Sequence, residues 1–119
     1  MEGEEKKYDL EERTALFAER VRNFCMRLPK NMANNEYGPQ LIRSGSAPGS
    51  NYIEANESLG DKDFKMKIKV CRKESKESAY WLRLVITNGS PEMEKERVAL
   101  RQEAKEFILI FSSILKKRE

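Results

Sequence analysis

Apolar side chains recur along this chain at alternating intervals of four and three residues. In the first such run Leu10, Thr14, Phe17, Val21, Phe24 and Leu28 share one face of a 3.6-residue repeat, which predicts an amphipathic helix with one buried stripe. Asp9, with Glu12 three residues on, reads as its capping box, and Pro29 as its end. A turn-rich connection, "KNMANNEYGP", follows. A later run begins after Gly60, with Asp61 as the expected N-cap. Its seam is Phe64, Ile68, Cys71, Ser75, Ser78, Leu82 and Val85, narrowed in the middle by two serines, and Asn88-Gly89 reads as a left-handed stop. Ser90 then caps a further helix, with Pro91 at the first position, where a missing N–H costs nothing. Met93, Leu100, Ala104, Phe107, Phe111 and Ile114 line that seam, and Arg97 is its one polar interruption.

The remaining segment holds "RSGSAPGSN" at 43–51, whose composition is that of a linker. Yet Leu41, Gly45, Pro48, Tyr52, Ala55 and Leu59 keep the same four-three spacing. Making it helical costs about 1 kcal/mol per Gly and about 3 kcal/mol for the interior Pro, which only close packing could offset. Gly and Ser permit that packing, with Ser75 and Ser78 as the natural partners. The expectation is a second helix over about residues 39–59, kinked at Pro48. The fold class is therefore all-α: an antiparallel up-down-up-down four-helix bundle with a kinked second helix, in one domain spanning 1–119. Residues 1–8 are expected to be a flexible acidic tail.

Composition narrows the chemistry. With 36% charged residues the chain suits long helices with wide solvated faces. It has no apolar run long enough to span a membrane and no signal-peptide core, so the expected location is cytoplasmic. Cys25 and Cys71 sit inside the amphipathic pattern without metal-ligand spacing and read as small buried apolar groups. There is no histidine, which removes the commonest general base and metal ligand; the expectation is a non-enzyme without cofactor or metal. Charge is uneven: residues 1–12 carry a net −4 and residues 61–86 a net +4, a polarity that suits an anionic partner or charge-guided self-association.

The strings "QLIRSGSAPGSNYIEANES", "KDF" and "KIKVCRKESKESAYWLRLV" add a resemblance. Gln40, Leu41, Arg43, Ser46, Asn51, Glu54, Ala55, Asp63, Phe64, Glu74, Glu77, Trp81 and Leu82 fall at the positions of a pattern found in the bacterial four-helix-bundle family of ribosomal-RNA intervening sequences. That family is related to the accessory variability determinant of diversity-generating retroelements. The likeness covers roughly residues 16–118. It departs at Ala47, where a larger apolar residue is usual. The resemblance implies a helix through the Gly-Ser stretch, ring-like homopentamers, nucleic-acid binding by some relatives through a basic surface, and no catalytic site.

Three groups of residues are candidates for function. Lys62, Lys65, Lys69, Arg72, Lys76 and Arg83 form a basic stripe about 100° from the apolar seam of the third helix. Arg13, Arg20 and Arg27 form a second row on the first helix at seven-residue spacing. Such rows can track phosphates without reading bases; the alternative is a solvated face with intrahelical pairs. Asn51, Glu54, Glu74 and Glu77 make a carboxylate-amide cluster, best read as structural polar contact or subunit pairing with Arg43. Trp81 and Leu84, off the basic stripe, are either core rim or an oligomer anchor. With Val70, Ile53, Ile108 and Ile110 they leave more apolar surface than one small bundle buries, which predicts self-association; the resemblance implies a pentamer.

The expected function is a non-enzymatic, self-assembling accessory bundle. It would dock RNA or DNA, or a nucleic-acid-processing partner such as a reverse transcriptase, through its basic helix faces. The alternative is a purely structural protein–protein module.

Overall fold

Helices form where the apolar stripes lie, and local features set most of their ends. In the computed structural model, which describes the backbone of residues 2–119 and the side chains from Leu10 onward, the order is α1 (Glu2–Met26), α2 (Met32–Asn56), α3 (Asp61–Leu84) and α4 (Pro91–Lys117). Each helix packs on its chain neighbours and α4 returns to α1, while among the described residues the diagonal pairs do not approach within 8 Å between Cα atoms. This is the expected four-helix bundle, with no strand among the described residues. A 27-residue helix is about 40 Å long at 1.5 Å per residue, so the 45 Å long axis of the molecule is one helix length.

Several boundaries differ from the sequence expectation. Because α1 begins at Glu2, Asp9 lies within the helix and does not cap it; the side chains of residues 1–9, which include the acidic tail expected at 1–8, lie outside the described residues. Helix α2 begins seven residues before Pro39. Asn31 is its N-cap, extended at φ −157° and ψ 172°, and its side chain accepts a hydrogen bond from Asn34 N at 2.8 Å. The asparagines that resembled a turn thus supply a cap and a first helical turn. At the other end α2 stops at Asn56, so Leu59 has left the helical period and is fully exposed instead of buried. Gly60, not Asp61, is the N-cap of α3, and Asp61 and Asp63 complement the helix dipole from the first turn. Asn88 and Gly89 do adopt positive φ (57° and 76°), but in the α3–α4 loop beyond the C-cap Val85. Ser90 and Pro91 start α4 as expected, with Ser90 Oγ accepting from Met93 N at 3.3 Å.

The Gly-Ser stretch is helical, and α2 runs through both Pro39 and Pro48. Its small residues divide between two neighbours, where the sequence suggested only α3. Ser44 faces α3 and accepts a hydrogen bond from Ser78 Oγ at 3.2 Å, while Cys71 Sγ donates to the carbonyl of Pro48 at 3.4 Å. Gly45 and Gly49 face α1: a Cβ on Gly45 would stand 2.8 Å from Val21 Cγ1, and one on Gly49 3.1 Å from Thr14 Oγ1. Glycine is needed there because a neighbouring helix occupies the space of a side chain.

The core is the predicted seams brought together. Phe17, Phe24, Ile68, Leu82, Leu100, Phe107 and Phe111 are among its fully buried members. Phe17 meets Phe107 edge to face at 5.3 Å, the favoured aromatic geometry. Seam-end residues Leu28, Phe64 and Ile114 are only partly covered. Buried Asn34 fastens both connections at one end of the bundle. Its Nδ2 donates to Pro29 O (2.8 Å) and Ile86 O (2.9 Å), and its Oδ1 accepts from Ile86 N at 2.9 Å.

Candidate nucleic-acid interface

Two rows of cations were expected to face solvent, and the bundle treats them differently. In an antiparallel pair, residues spaced by seven on one helix meet residues of falling number on the other. Arg13, Arg20 and Arg27 of α1 accordingly meet Glu103, Glu96 and Glu92 of α4. Arg13 is bidentate to Glu103 (Nη2–Oε1 2.7 Å, Nε–Oε2 3.2 Å) and reaches Glu106 at 3.5 Å. Arg20 is bidentate to Glu96 (2.8 and 3.2 Å), and Arg27 contacts Glu92 at 2.8 Å. The fork geometry and part-burial make the first two the stronger pairs, and the hydrogen bond from Arg20 to Glu96 raises the pKa of its guanidinium above the ordinary value. Among the four packed helix pairs α1–α4 has the sparsest backbone approach, and this ladder bridges it. The α1 row, expected as a phosphate-binding face, is thus paired with glutamates of α4.

The α3 stripe divides. Lys65 pairs with Asp61 one turn back at 3.1 Å, and Arg72 donates to Ser112 Oγ of α4 at 3.4 Å. Lys62, Lys69, Lys76 and Arg83 are exposed, and their side chains make no hydrogen bond or ion pair with other described residues. These four are spaced by seven, about 10 Å apart along the helix axis. They thus form a line with the same repeat as the α1 row, but without its carboxylates.

Helix α4 explains the difference. Arg97 Nη1 donates to the carbonyls of Leu82 (2.7 Å) and Arg83 (3.1 Å), so it caps the C-terminus of α3, and Ser112 meets Arg72. Positions 97 and 112 therefore lie on the edge of α4 that faces α3, and helical phase places Arg101, Lys105 and Ile108 on the same edge. That edge offers α3 cations where the α1-facing edge offers glutamates. Arg101 Nε is shielded from solvent and has no hydrogen-bond partner. Neither Arg101 nor Lys105 was singled out from the sequence, although the four-residue steps from Arg97 to Arg101 to Lys105 were a usable signal.

The carboxylate-amide cluster does not assemble as one site. Arg43 spans α2 and α3, contacting Glu74 at 3.2 and 3.3 Å and Glu77 at 2.8 Å. Glu54 pairs instead with Lys67 at 3.0 Å, and Asn51 Nδ2 donates to its own helix at Ala47 O, 2.9 Å away. Among the described residues no group of three or more His, Cys, Asp or Glu is placed to hold a metal. Trp81 stacks on Tyr37 of α2 (5.8 Å, 30°) and meets Tyr80 at 5.1 Å; its Nε1 is shielded and without an acceptor. Tyr37 and Tyr80 extend the Trp81 patch beyond the sequence reading. Burial pushes both thiols, Cys25 and Cys71, up to about 12, far from the reactive thiolate range.

One titrating contact supports this end of the bundle. Thr87, and then Arg97, hydrogen-bond Glu94 and hold its carboxyl below the ordinary 4.5. A depressed folded value contributes stability that is complete above the unfolded value and is lost as pH falls through the folded one. The advantage of the wild type over Glu94→Gln should therefore be greatest above 4.5 and shrink on further acidification. Denaturant midpoints measured across pH check this, and an advantage that does not change with pH refutes it.

No helix among the described residues is long and apolar enough to cross a membrane. No protein-family model matches the chain, and no curated protein matches it. A solved structure does: the chain is similar to a protein of unknown function from the S23 ribosomal protein family of Bacteroides thetaiotaomicron, 26% identical, with a TM-score of 0.74 over 90% of this chain and 98% of that one.

Proposed function

We propose that this chain is a non-enzymatic, self-assembling accessory bundle that docks nucleic acid through the outer face of α3, and that it belongs with the intervening-sequence proteins and the accessory variability determinants. One observation carries the docking: four exposed cations, Lys62, Lys69, Lys76 and Arg83, stand in a line, and none of them forms an ion pair with a described carboxylate. The likeness to an S23 ribosomal-family structure supports an association with RNA-related machinery. Self-assembly into a closed ring, a pentamer by the resemblance, would use the apolar flank of α3 beside this line. Tyr80 and Met66 are more than half exposed there, and Tyr37, Trp81 and Leu84 are partly so. A ring repeats the cationic line in each subunit, so weak single contacts combine on one long polyanion.

The test is binding of RNA and DNA of several unrelated sequences across a salt series, with light scattering on the same samples. The expected result is an oligomer that binds all of them with similar affinity, with log K falling linearly in log salt. Absence of binding at low salt sinks the docking, and a monodisperse monomer at micromolar concentration sinks the assembly. An oligomer that binds no nucleic acid would favour the structural protein–protein module.

A further inference from the structure

The docking surface has a second wall. Across from Lys69, Arg72, Lys76 and Arg83 of α3, the facing edge of α4 carries Arg101 and Lys105, between the two points where the helices are joined by Arg97 on Arg83 O and by Arg72 on Ser112. Resting on the nucleic-acid reading above, we infer that these six residues form one phosphate-binding trough between α3 and α4, and that its preferred occupant is a duplex.

The first part follows from charge. No described acid lies between those junctions on either facing edge, whereas on the α1–α4 side each arginine of the row has a glutamate within 2.8 Å. Like charges facing each other repel, and a bound polyanion removes that repulsion by placing phosphates between them. Arg101 makes no ion pair with the described residues, and its Nε is shielded from solvent and unpaired.

The preference for a duplex follows from what the trough lacks. Sequence-tolerant single-strand binding combines a basic groove with aromatic faces on which unstacked bases lie. None of the six residues is aromatic: Trp81 stacks on Tyr37 of α2, and Tyr80, one turn on from Lys76, meets Trp81 edge-on. A surface that offers charge alone favours the higher charge density, and a duplex carries a charge every 1.7 Å or so against about 3.4 Å for one strand. Both walls are helices, so the cations are carried at regular backbone spacing.

The experiment compares the wild type, Arg101→Ala/Lys105→Ala and, as a control of equal charge, Arg22→Ala/Lys30→Ala, whose residues are exposed on and beyond α1. Each is titrated with a duplex of about 20 base pairs and with its separate unstructured strand, after circular dichroism has confirmed the fold. A charge-conserving Arg101→Lys/Lys105→Arg variant guards against a purely structural effect. The trough variant should lower the salt slope on duplex by about 2, so that the wild type loses roughly tenfold more affinity than the variant between 50 and 200 mM salt. The control and the charge-conserving variant should stay near wild type. Wild-type binding should be tighter to the duplex than to the strand. If the trough variant behaves like the control while wild type binds, the second wall is wrong and the α3 reading stands. If the strand binds as tightly as the duplex, the duplex preference is wrong. If wild type binds neither, both this inference and the docking reading fall.

Discussion

Leucine in place of Gly45 should destabilise the bundle by about 1–3 kcal/mol, with a loss of roughly 3–6 °C in Tm for each kcal/mol. Even the first added carbon of such a side chain stands 2.8 Å from Val21 Cγ1 and 3.2 Å from Val21 Cβ and Cγ2. Val21 is 1% exposed and branched at Cβ, so it has no free rotamer into which to retreat. Either α1 moves away from α2 or the leucine bends out of its own helix. Movement of α1 also disturbs Thr14 against Gly49 and the Phe17–Phe107 contact. Gly49→Ala is the graded companion: its Cβ would meet Thr14 Oγ1 at 3.1 Å, a contact that a few tenths of an ångström relieves. Its cost should be smaller than that of Gly45→Leu, and smaller than that of Gly45→Ala. Denaturant unfolding of the three variants gives the order. A Gly45→Leu protein within 0.5 kcal/mol of wild type would mean that α1 and α2 are not packed this closely.

The contrast at Gly45 also shows what was legible in the sequence and what was not. The four-three spacing through "RSGSAPGSN" identified the helix because periodicity is a property of one segment, and it survives a composition that suggests a linker. It could not say which neighbour the glycines face. That depends on the rotation of α2 about its axis, which is set by contacts with two other helices at once; Ser44 meets Ser78 on α3 while Gly45, one residue on, meets Val21 on α1. The start of α2 was hidden for a different reason. Asparagine is favoured both in turns and at N-caps, and the residues from Asn31 to Asn35 satisfy either reading until Asn34 is seen fastening two loops from a buried position. Arg97 looked like a flaw in the α4 seam; its role became apparent only with the carbonyl end of α3 beside it.

The strongest test sets the two heptad-spaced cation rows against each other. In the sequence Arg13, Arg20 and Arg27 look like Lys62, Lys69 and Lys76. The signal that separates them was present as Glu92, Glu96 and Glu103, which complement an antiparallel α1 only once α1 and α4 are taken as neighbours. Charge reversal should therefore have opposite consequences at equal change in net charge. Lys69→Glu/Lys76→Glu removes two solvent-facing cations from the trough, and neither side chain has a partner among the described residues. Stability should change by less than about 0.5 kcal/mol, while nucleic-acid binding at 0.1 M salt should be lost, because two attractive phosphate contacts become repulsive. Arg13→Glu/Arg20→Glu should do the reverse. It sets glutamates against Glu96, Glu103 and Glu106, costing on the order of 1 kcal/mol or more at these partly exposed pairs. Binding should fall only by the small long-range effect of a changed net charge, an effect that salt screens over about 10 Å. Thermal unfolding and a binding titration on both variants suffice. Equal loss of binding in the two would mean that net charge alone attracts the polyanion and that α3 holds no site. Unchanged binding in the α3 variant would leave the cationic line as a solvated face, and the bundle as a module that recognises protein.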